Sequence, residues 1–269
     1  MEKTPKVLIG LPTFKGMKYC HKEFYSRIKK LTYSNYDVLV VDNSKDDEYF
    51  NELKKEEGVI VMKDNRKEKY KMQVLANSRN KIIEYALEND YDYLLTMDPD
   101  VIPPENIIEE LLSCEKNVVS GLYFNYYNSS GKLKYLPVAF QFITDEEFKE
   151  ILKTTKFPPS VKSSEDLRRH LTQEEVDSGR LIKVKQPSIG CTLSSRKVFE
   201  KVRHGLFEIE GVDPGITGED AFYFHSARKE GFDLYVYTKI KCEHLLEGKY
   251  EKDSEGNLVH PLFKQSFRH

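Results

Sequence analysis

Two aspartates separated by one proline, Asp98 and Asp100, follow directly on the apolar run Tyr93–Met97. In an extended segment, residues i and i+2 project to the same side, so both carboxylates are predicted to face one space beyond the end of a strand. Pro99 also favours an extended conformation at Asp98. Close carboxylates repel each other unless a cation lies between them, and hard divalent cations prefer oxygen ligands. The spacing therefore predicts a divalent metal site, and its alternative is a solvated Asp-Pro turn.

The elements that must position these acids alternate between strand and helix patterns over the first 122 residues. Such alternation is typical of βαβ units and a mostly parallel sheet, whose ligands bind at the carboxyl ends of the strands. Three predicted strands end there on polar or non-packing residues: Pro12-Thr13, Asp42 and the Asp98/Asp100 pair. One shared crevice is expected. The strands are predicted at Lys6–Leu11, Asp37–Asp42, Val59–Met62, Tyr93–Met97 and Val118–Leu122, and the helices at 46–57, 72–86 and 105–112.

Beyond residue 123 the pattern is less regular, and the charged stretch 154–178 is typical of an insertion. There is no internal repeat and no low-complexity linker, so one α/β domain with two functional halves is predicted. Strands are predicted at 133–142, 181–184 and 189–193 and within 234–244, and helices at 145–152, 196–202 and 220–230.

Composition narrows the classes of function. Of the 269 residues 39% are hydrophobic, which suffices for a core, and the net charge of -2 gives no field that would attract nucleic acid. No apolar run reaches the roughly 18 residues of a membrane span, so a cytoplasmic protein is expected. Peripheral membrane contact stays open, because the stretch 262–268 mixes aromatic and cationic residues. No Cys-x-x-Cys pair suggests a zinc site, and reduced thiols are expected at Cys20, Cys114, Cys191 and Cys242.

In order and spacing, a set of short motifs over about residues 5–245 resembles the GT-A class of nucleotide-sugar-dependent glycosyltransferases, in particular its family-2-like members. The motifs are Leu11-Pro12-Thr13, Val41-Asp42-Asn43-Ser44, Ala76-Asn77-Ser78-Arg79-Asn80, Asp98-Pro99-Asp100, Gly218-Glu219-Asp220 and His244. The resemblance implies a GT-A type α/β fold with a mostly parallel central sheet flanked by helices. It also implies a nucleotide-sugar-binding half at 1–122, an acceptor-binding and catalytic half at 123–245, and a C-terminal tail at 246–269.

The resemblance implies a metal site. Asp98 and Asp100 are similar to the DXD motif that holds Mn²⁺ or Mg²⁺ against the diphosphate of the donor. His244 corresponds to a third metal ligand, and an imidazole among oxygen ligands favours Mn²⁺. No role is assigned to the histidines outside the matching motifs, which include His21, His170, His204 and His225.

The resemblance also implies a donor pocket. Asp42 corresponds to the acid that accepts hydrogen bonds from the nucleobase or ribose, and its alternative is an Asx-turn or a helix N-cap. Pro12 and Thr13 would line the base pocket through backbone groups. The guanidinium of Arg79 could pair with phosphate or with Asp98, and its alternative is an exposed salt bridge on a helix.

Glu219 and Asp220 occupy the position of the catalytic base in the resembling family, and Asp220 is preferred. The structural alternative is a capping box in which Thr217 and Asp220 begin a helix. The two interpretations are compatible, because a helix start holds a carboxylate rigidly and keeps it ionised.

The implied function is metal-dependent transfer of a sugar from a nucleotide diphosphate sugar, with UDP or GDP, to a hydroxyl acceptor, with inversion. The acceptor class stays open between a glycan, a lipid carrier, a protein and a small molecule. A retaining mannosyl- or glucosyltransferase of the same fold is the alternative. A nucleotidyltransferase fits less well, because Pro12–Lys18 contains only one Gly and two Lys to surround a triphosphate. A non-catalytic nucleotide-binding module is the remaining alternative.

Overall fold

Runs of apolar, often β-branched residues form the strands of this computed structural model, which describes residues 4–129, 132–157, 161–210, 212–214, 218–246, 251–252 and 258–259. The strands are β1 (Val7–Thr13), β2 (Tyr36–Asp42), β3 (Val59–Lys63), β4 (Tyr93–Met97), β5 (Val101–Ile102), β6 (Val118–Leu122), β7 (Phe124–Ser129), β8 (Lys132–Pro137), β9 (Phe140–Gln141), β10 (Arg169–His170), β11 (Leu181–Val184), β12 (Cys191–Ser195), β13 (Leu234–Lys241), β14 (Glu243–His244), β15 (Glu251–Lys252) and β16 (Leu258–Val259).

The helices alternate with the strands in the first half of the chain and become shorter in the second. They are α1 (Lys18–Ile28), α2 (Glu48–Leu53), α3 (Lys71–Glu88), α4 (Ile107–Leu112), α5 (Asp145–Thr154), α6 (Gln173–Asp177), α7 (Arg196–Phe199) and α8 (Glu219–Lys229), with 3-10 turns at Lys15–Met17 and Ser164–Asp166. No helix in these described ranges is both long enough and apolar enough to cross a bilayer.

In the described part of the chain, eight strands form the central sheet in the order β11-β13-β6-β12-β4-β1-β2-β3. The pairs β1/β2, β2/β3, β1/β4 and β6/β13 are parallel. Strand β12 runs antiparallel between β4 and β6, and β11 is antiparallel to β13. Strands from both halves of the chain therefore complete one sheet, which is mainly parallel, as predicted.

Both faces of this sheet are buried, which the alternation of side chains along the strands shows. In β1, Val7, Ile9 and Leu11 pack into the cluster that contains α1 and α4, whereas Leu8 packs into the cluster that contains α3, α7 and α8. Successive side chains of a strand point to opposite faces of the sheet. Apolar residues on both faces are typical of a parallel sheet that helices cover on each side. The carboxyl ends of β1, β2 and β4 stay at one edge, which leaves them available to a ligand.

Several predicted elements differ from the observed ones in the second half. The strand predicted at 133–142 divides into β8 and β9, and the helix predicted at 196–202 ends at Phe199. Within 234–244, where more than one strand was predicted, the structure has β13 and β14. The stretch 154–178 contains β10 and α6 rather than only irregular chain. The aromatic and cationic stretch 262–268 lies outside the described residues.

A close approach between β1 and α3 explains Gly10. A methyl group at this position would lie 2.2 Å from Ile82 Cγ2 and 3.1 Å from Leu94 Cδ1. We expect Gly10→Ala to lower the free energy of unfolding by about 1–3 kcal/mol, because the core cannot take the added volume without moving Ile82. Urea unfolding measures the change.

The double variant Gly10→Ala/Ile82→Ala should lose at least about 0.5 kcal/mol less than the sum of the single losses, because Ile82→Ala removes the clashing methyl. Ile108 lies in the cluster on the opposite face of the sheet, so Ile108→Ala is the control. Its loss of unfolding free energy should add to that of Gly10→Ala. Strict additivity with Ile82→Ala would contradict this account of the packing.

Candidate active site

A buried arginine joins the two halves of the candidate site. Arg79 lies on α3 and is 2% exposed. Its Nη2 donates to Asp98 Oδ1 at 2.7 Å, and its Nε donates to Glu219 Oε1 at 2.9 Å. Its remaining terminal nitrogen, Nη1, is buried and has no hydrogen-bond partner among the described residues. Arg79 therefore pairs with Asp98, one of the interactions predicted from the sequence, and does not form an exposed salt bridge on the helix surface.

Glu219 is held on both oxygens, by the Arg79 cation on one and by a hydrogen bond with His204 on the other. Besides Arg79, His204 Nδ1 lies in hydrogen-bond contact with Glu219 Oε2. Burial opposes ionisation of this carboxyl, but Arg79 and His204 outweigh it and lower the pKa of Glu219 to about 2. Glu219 is therefore ionised at neutral pH, with a structural partner on each side.

His204 is a site residue that the sequence did not indicate. Its backbone N–H donates to Asn80 Oδ1 at 2.8 Å, and Asn80 Nδ2 donates to the His204 carbonyl at 2.9 Å. Its ring stacks on Tyr223, with the centroids 4.2 Å apart. Burial lowers the pKa of His204 more than Glu219 raises it. The residue lies in irregular chain before α8, where no periodicity could have marked it.

The Asp98-Pro99-Asp100 segment is a turn and not the extended continuation of β4 that the sequence predicted. The carbonyl of Asp98 accepts from the N–H of Val101 at 3.0 Å, which closes the turn. Asp98 is therefore directed to Arg79, whereas Asp100, 3% exposed, accepts from the Tyr19 hydroxyl at 3.0 Å. Both carboxylates still lie at the end of β4.

Gly190 is required by the close approach of the turn. The Asp98 N–H donates to the Gly190 carbonyl at 3.0 Å. A Cβ at Gly190 would lie 2.5 Å from Asp98 Oδ2 and 2.8 Å from the Tyr123 hydroxyl. A larger residue here would displace the aspartate that contacts Arg79.

His244 reaches this turn through a short strand pair. Strand β14 pairs with β5, so His244 lies opposite Val101. Val101 directly follows Asp100 in the chain. Because a carbonyl only accepts, His244 Nδ1 donates to the Phe124 carbonyl, at 2.8 Å. Its Nε2 lies 3.4 Å from Asp100 Oδ2. Burial lowers the pKa of His244 below its ordinary value. Over the described ranges, no group of three or more His, Cys, Asp or Glu side chains is arranged to hold a metal ion.

Asp220 lies in the first turn of α8, immediately after Glu219. The N-cap of this helix is Gly218, which makes no side-chain cap, and Thr217 of the predicted capping box lies outside the described residues. Asp220 Oδ2 accepts from Gln186 Nε2 at 3.0 Å, and Oδ1 accepts from the Ala221 N–H at 2.7 Å. Burial and the neighbouring charge of Glu219 raise the pKa of Asp220. Gln186 is a second neighbour that the sequence did not indicate.

Asp42 lies at the end of β2 and is fully buried. Its Oδ1 accepts from the backbone N–H of Ser44 at 3.0 Å, which is the Asx-turn offered as an alternative. Its Oδ2 forms an ion pair with Lys63 Nζ at 2.9 Å. Pro12 and Thr13 lie on the adjacent end of β1, where Thr13 pairs with Asp42 in the sheet. The three residues are thus brought together as predicted, and the nucleobase contact itself stays a prediction.

Glycosyl transferase family 2 matches residues 11–202 of the chain. This match covers well over half of the chain, so the chain belongs to glycosyl transferase family 2. Among solved structures it is similar to GalNAc-T7 crystallised with UDP, GalNAc and Mn²⁺, with a TM-score of 0.56 and 14% sequence identity. The similarity covers 91% of this chain and 44% of that chain, so this chain spans less than half the length of that relative. No curated protein matches the chain. The prediction of a GT-A fold is confirmed.

Substitution of His204 should change the pH dependence of stability. The pKa of His204 is lowered in the folded state, so the unfolded chain binds the proton first as the pH falls, and stability is lost below the ordinary histidine pKa. Between pH 7 and 5, we expect the unfolding free energy of His204→Gln to fall less steeply than that of the wild type, by up to about 1.4 kcal/mol per pH unit.

Urea unfolding at a series of pH values measures this slope. The two proteins should have parallel curves above about pH 8, where histidine is neutral in both states. A steeper loss in the variant than in the wild type would mean that His204 is protonated in the folded state.

Proposed function

We propose that this protein transfers a sugar from a nucleotide diphosphate sugar to a hydroxyl acceptor, with inversion at the anomeric carbon. The observation that carries the proposal is the bridge through Arg79, which fixes the Asp98 turn and the start of α8 relative to each other. A donor-binding motif and a candidate base are thereby held at one edge of the sheet. Family membership supports the same class of reaction.

In this proposal, residues 1–122 form the nucleotide-sugar half. Pro12, Thr13 and Asp42 form a wall of the nucleoside pocket at the ends of β1 and β2. Arg79 contributes Nη1, a buried donor with no partner among the described residues, and a phosphate oxygen is a suitable acceptor for it. Residues 123–245 would contribute the acceptor side, with the tail at 246–269 after it.

Asp98, Asp100 and His244 would hold a divalent cation, Mn²⁺ or Mg²⁺. The fit of these residues is supported by His244, whose Nδ1 donates to a backbone carbonyl while its Nε2 is directed at the carboxylate of Asp100. Imidazole ligands of metals characteristically donate their other nitrogen in this way. GalNAc-T7 was crystallised with Mn²⁺ and UDP, which is consistent with a metal in this fold. When bound, the metal neutralises charge that develops on the departing diphosphate.

Asp220 would act as the general base that takes the proton from the acceptor hydroxyl. Gln186 and the Ala221 N–H orient its carboxylate. Burial and the adjacent anion Glu219 raise the pKa of Asp220, which makes Asp220 a stronger proton acceptor. Attack on the anomeric carbon from the face opposite the leaving diphosphate inverts the configuration. NMR of the product anomer tests this point, and a retained configuration would favour the retaining alternative.

The substitution Asp220→Asn should lower the rate of transfer by about 10²–10⁴-fold, the usual contribution of a positioned base. Binding of UDP in the presence of Mn²⁺ should change less than about twofold, because the base acts on the acceptor. Transfer is measured by UDP release and binding by calorimetry.

Asp233→Asn is a matched control for that variant, because Asp233 is an exposed acid that pairs with Lys183 on the surface. Its transfer rate should equal that of the wild type. If Asp220→Asn instead abolishes UDP binding while transfer per bound donor is unchanged, Asp220 has a role in the donor site or in folding.

The substitutions Asp100→Asn and His244→Gln should each weaken Mn²⁺-dependent binding of UDP by at least about tenfold, or 1.4 kcal/mol. The readout is the rise in melting temperature on addition of UDP with and without Mn²⁺, which depends on binding to the native state and not on turnover. Asp90→Asn removes an exposed carboxylate and serves as the control. An unchanged Mn²⁺ requirement in both variants would contradict the metal assignment.

A further inference from the structure

A group of three cations is linked to Asp220 through one of its members and is not explained by donor binding. We define this cationic cluster as Arg168, Lys185 and Arg228. Arg168 precedes β10 in the charged stretch 154–178, Lys185 follows β11, and Arg228 lies on α8. Within the described ranges, none of the three side chains has a nitrogen within 4.0 Å of a carboxylate oxygen, the distance that defines an ion pair.

The contacts of Lys185 and Arg228 are made to backbone carbonyls. Lys185 Nζ donates to the Leu167 carbonyl at 2.8 Å and also to the Glu165 carbonyl. Arg228 Nη1 donates to the carbonyl of Lys185. These contacts fix the positions of the cations without neutralising them.

Arg168 is held in a defined orientation with most of its donors available. Its guanidinium carbon lies 4.1 Å from the centroid of the Phe140 ring. Its Nη1 donates to Gln186 Oε1, which is the one hydrogen bond of this side chain among the described residues. A guanidinium has five N–H donors, and a stacked, planar guanidinium is suited to bidentate binding of an oxyanion.

Gln186 connects the cationic cluster to the candidate base. Its side-chain oxygen accepts from Arg168 while its side-chain nitrogen donates to Asp220 at 3.0 Å. The amide of Gln186 therefore bridges the guanidinium and the Asp220 carboxylate. A ligand group bound by Arg168 would lie beside the hydroxyl that Asp220 deprotonates.

The charges in the cationic cluster oppose one another. Burial, together with Arg228 and Arg168, lowers the pKa of Lys185, and burial lowers the pKa of both Arg168 and Arg228. Glu165 and Asp166 act in the opposite direction on Lys185 without removing the shift. His225, on α8, also has its pKa lowered by burial and by Lys229, Arg228 and Lys185. Like charges gathered next to a reactive group are more typical of a ligand site than of a stabilising network.

We propose that the cationic cluster binds a phosphate group on the acceptor and so selects a phosphorylated acceptor, whether a soluble sugar phosphate or a phosphate-linked lipid. This inference rests on the proposed function, because Asp220 marks the acceptor side of the site. Three cations match the two negative charges of a phosphate monoester better than the single charge of a carboxylate. Arg168 and Arg228 supply the planar donors, and Lys185 supplies an additional point charge.

The test uses the full chain with UDP and Mg²⁺ present, so that the donor site is occupied. Calorimetry then compares glucose 6-phosphate with glucose as soluble probes. We expect the wild type to bind the phosphorylated sugar at least about tenfold more tightly than glucose, and Arg168→Gln and Arg228→Gln each to lose at least about tenfold of that affinity. Lys197→Gln, which removes an exposed cation on α7, should bind as the wild type does.

Flotation with phosphatidylcholine vesicles doped with phosphatidic acid distinguishes the source of the phosphate. Vesicle binding that Arg168→Gln abolishes supports a lipid-linked phosphate, and binding of glucose 6-phosphate alone supports a soluble one. Wild-type protein that binds neither probe, or an Arg168→Gln variant with unchanged binding, would overturn the proposal. The affinity for UDP is recorded in each titration, so a failure of donor binding in the wild type counts against the proposed function instead.

Discussion

A cation buried in a protein must be balanced, and Arg79 is balanced by two carboxylates from distant parts of the chain. Asp98 follows β4 and Glu219 begins α8, so one guanidinium fixes a turn and a helix relative to α3. Removal of one partner from such a buried group leaves an uncompensated charge, which typically costs about 3–5 kcal/mol. The relative position of the two halves of the site is therefore set by electrostatics and not only by packing.

The same arrangement gives two adjacent acids different properties. Although Glu219 is buried, the Arg79 cation and the hydrogen bond with His204 keep it ionised and lower its pKa to about 2. Asp220 receives hydrogen bonds from neutral groups, and burial together with the charge of Glu219 raises its pKa. Neighbouring carboxylates with opposite shifts can take separate roles, one structural and one in proton transfer. Arg79 thus acts on the chemistry of Asp220 through Glu219.

Sequence patterns predicted the parts of the structure that depend on local periodicity. Short continuous apolar runs located the strands of the first half, and polar residues at strand ends located the crevice. The extended conformation predicted for Asp98–Asp100 was wrong, because a local hydrogen bond from the Val101 N–H to the Asp98 carbonyl closes a turn there. Val101 begins β5, which pairs with β14. Those strands have two residues each, too short to leave a pattern. His204 and Gln186 lie outside long periodic elements, and their contacts join residues far apart in sequence.

The antiparallel strand β12 has a consequence for how this protein is made. Strand β12 lies between β4 and β6 in the sheet and pairs with both, yet it follows β6 by about seventy residues in the chain. During synthesis on the ribosome, the facing edges of β4 and β6 stay unpaired until residues 191–195 have emerged and β12 can pair with both. Unpaired apolar edges of this kind are aggregation-prone, so the nascent chain should depend on chaperones more than a fold with sequential strands does.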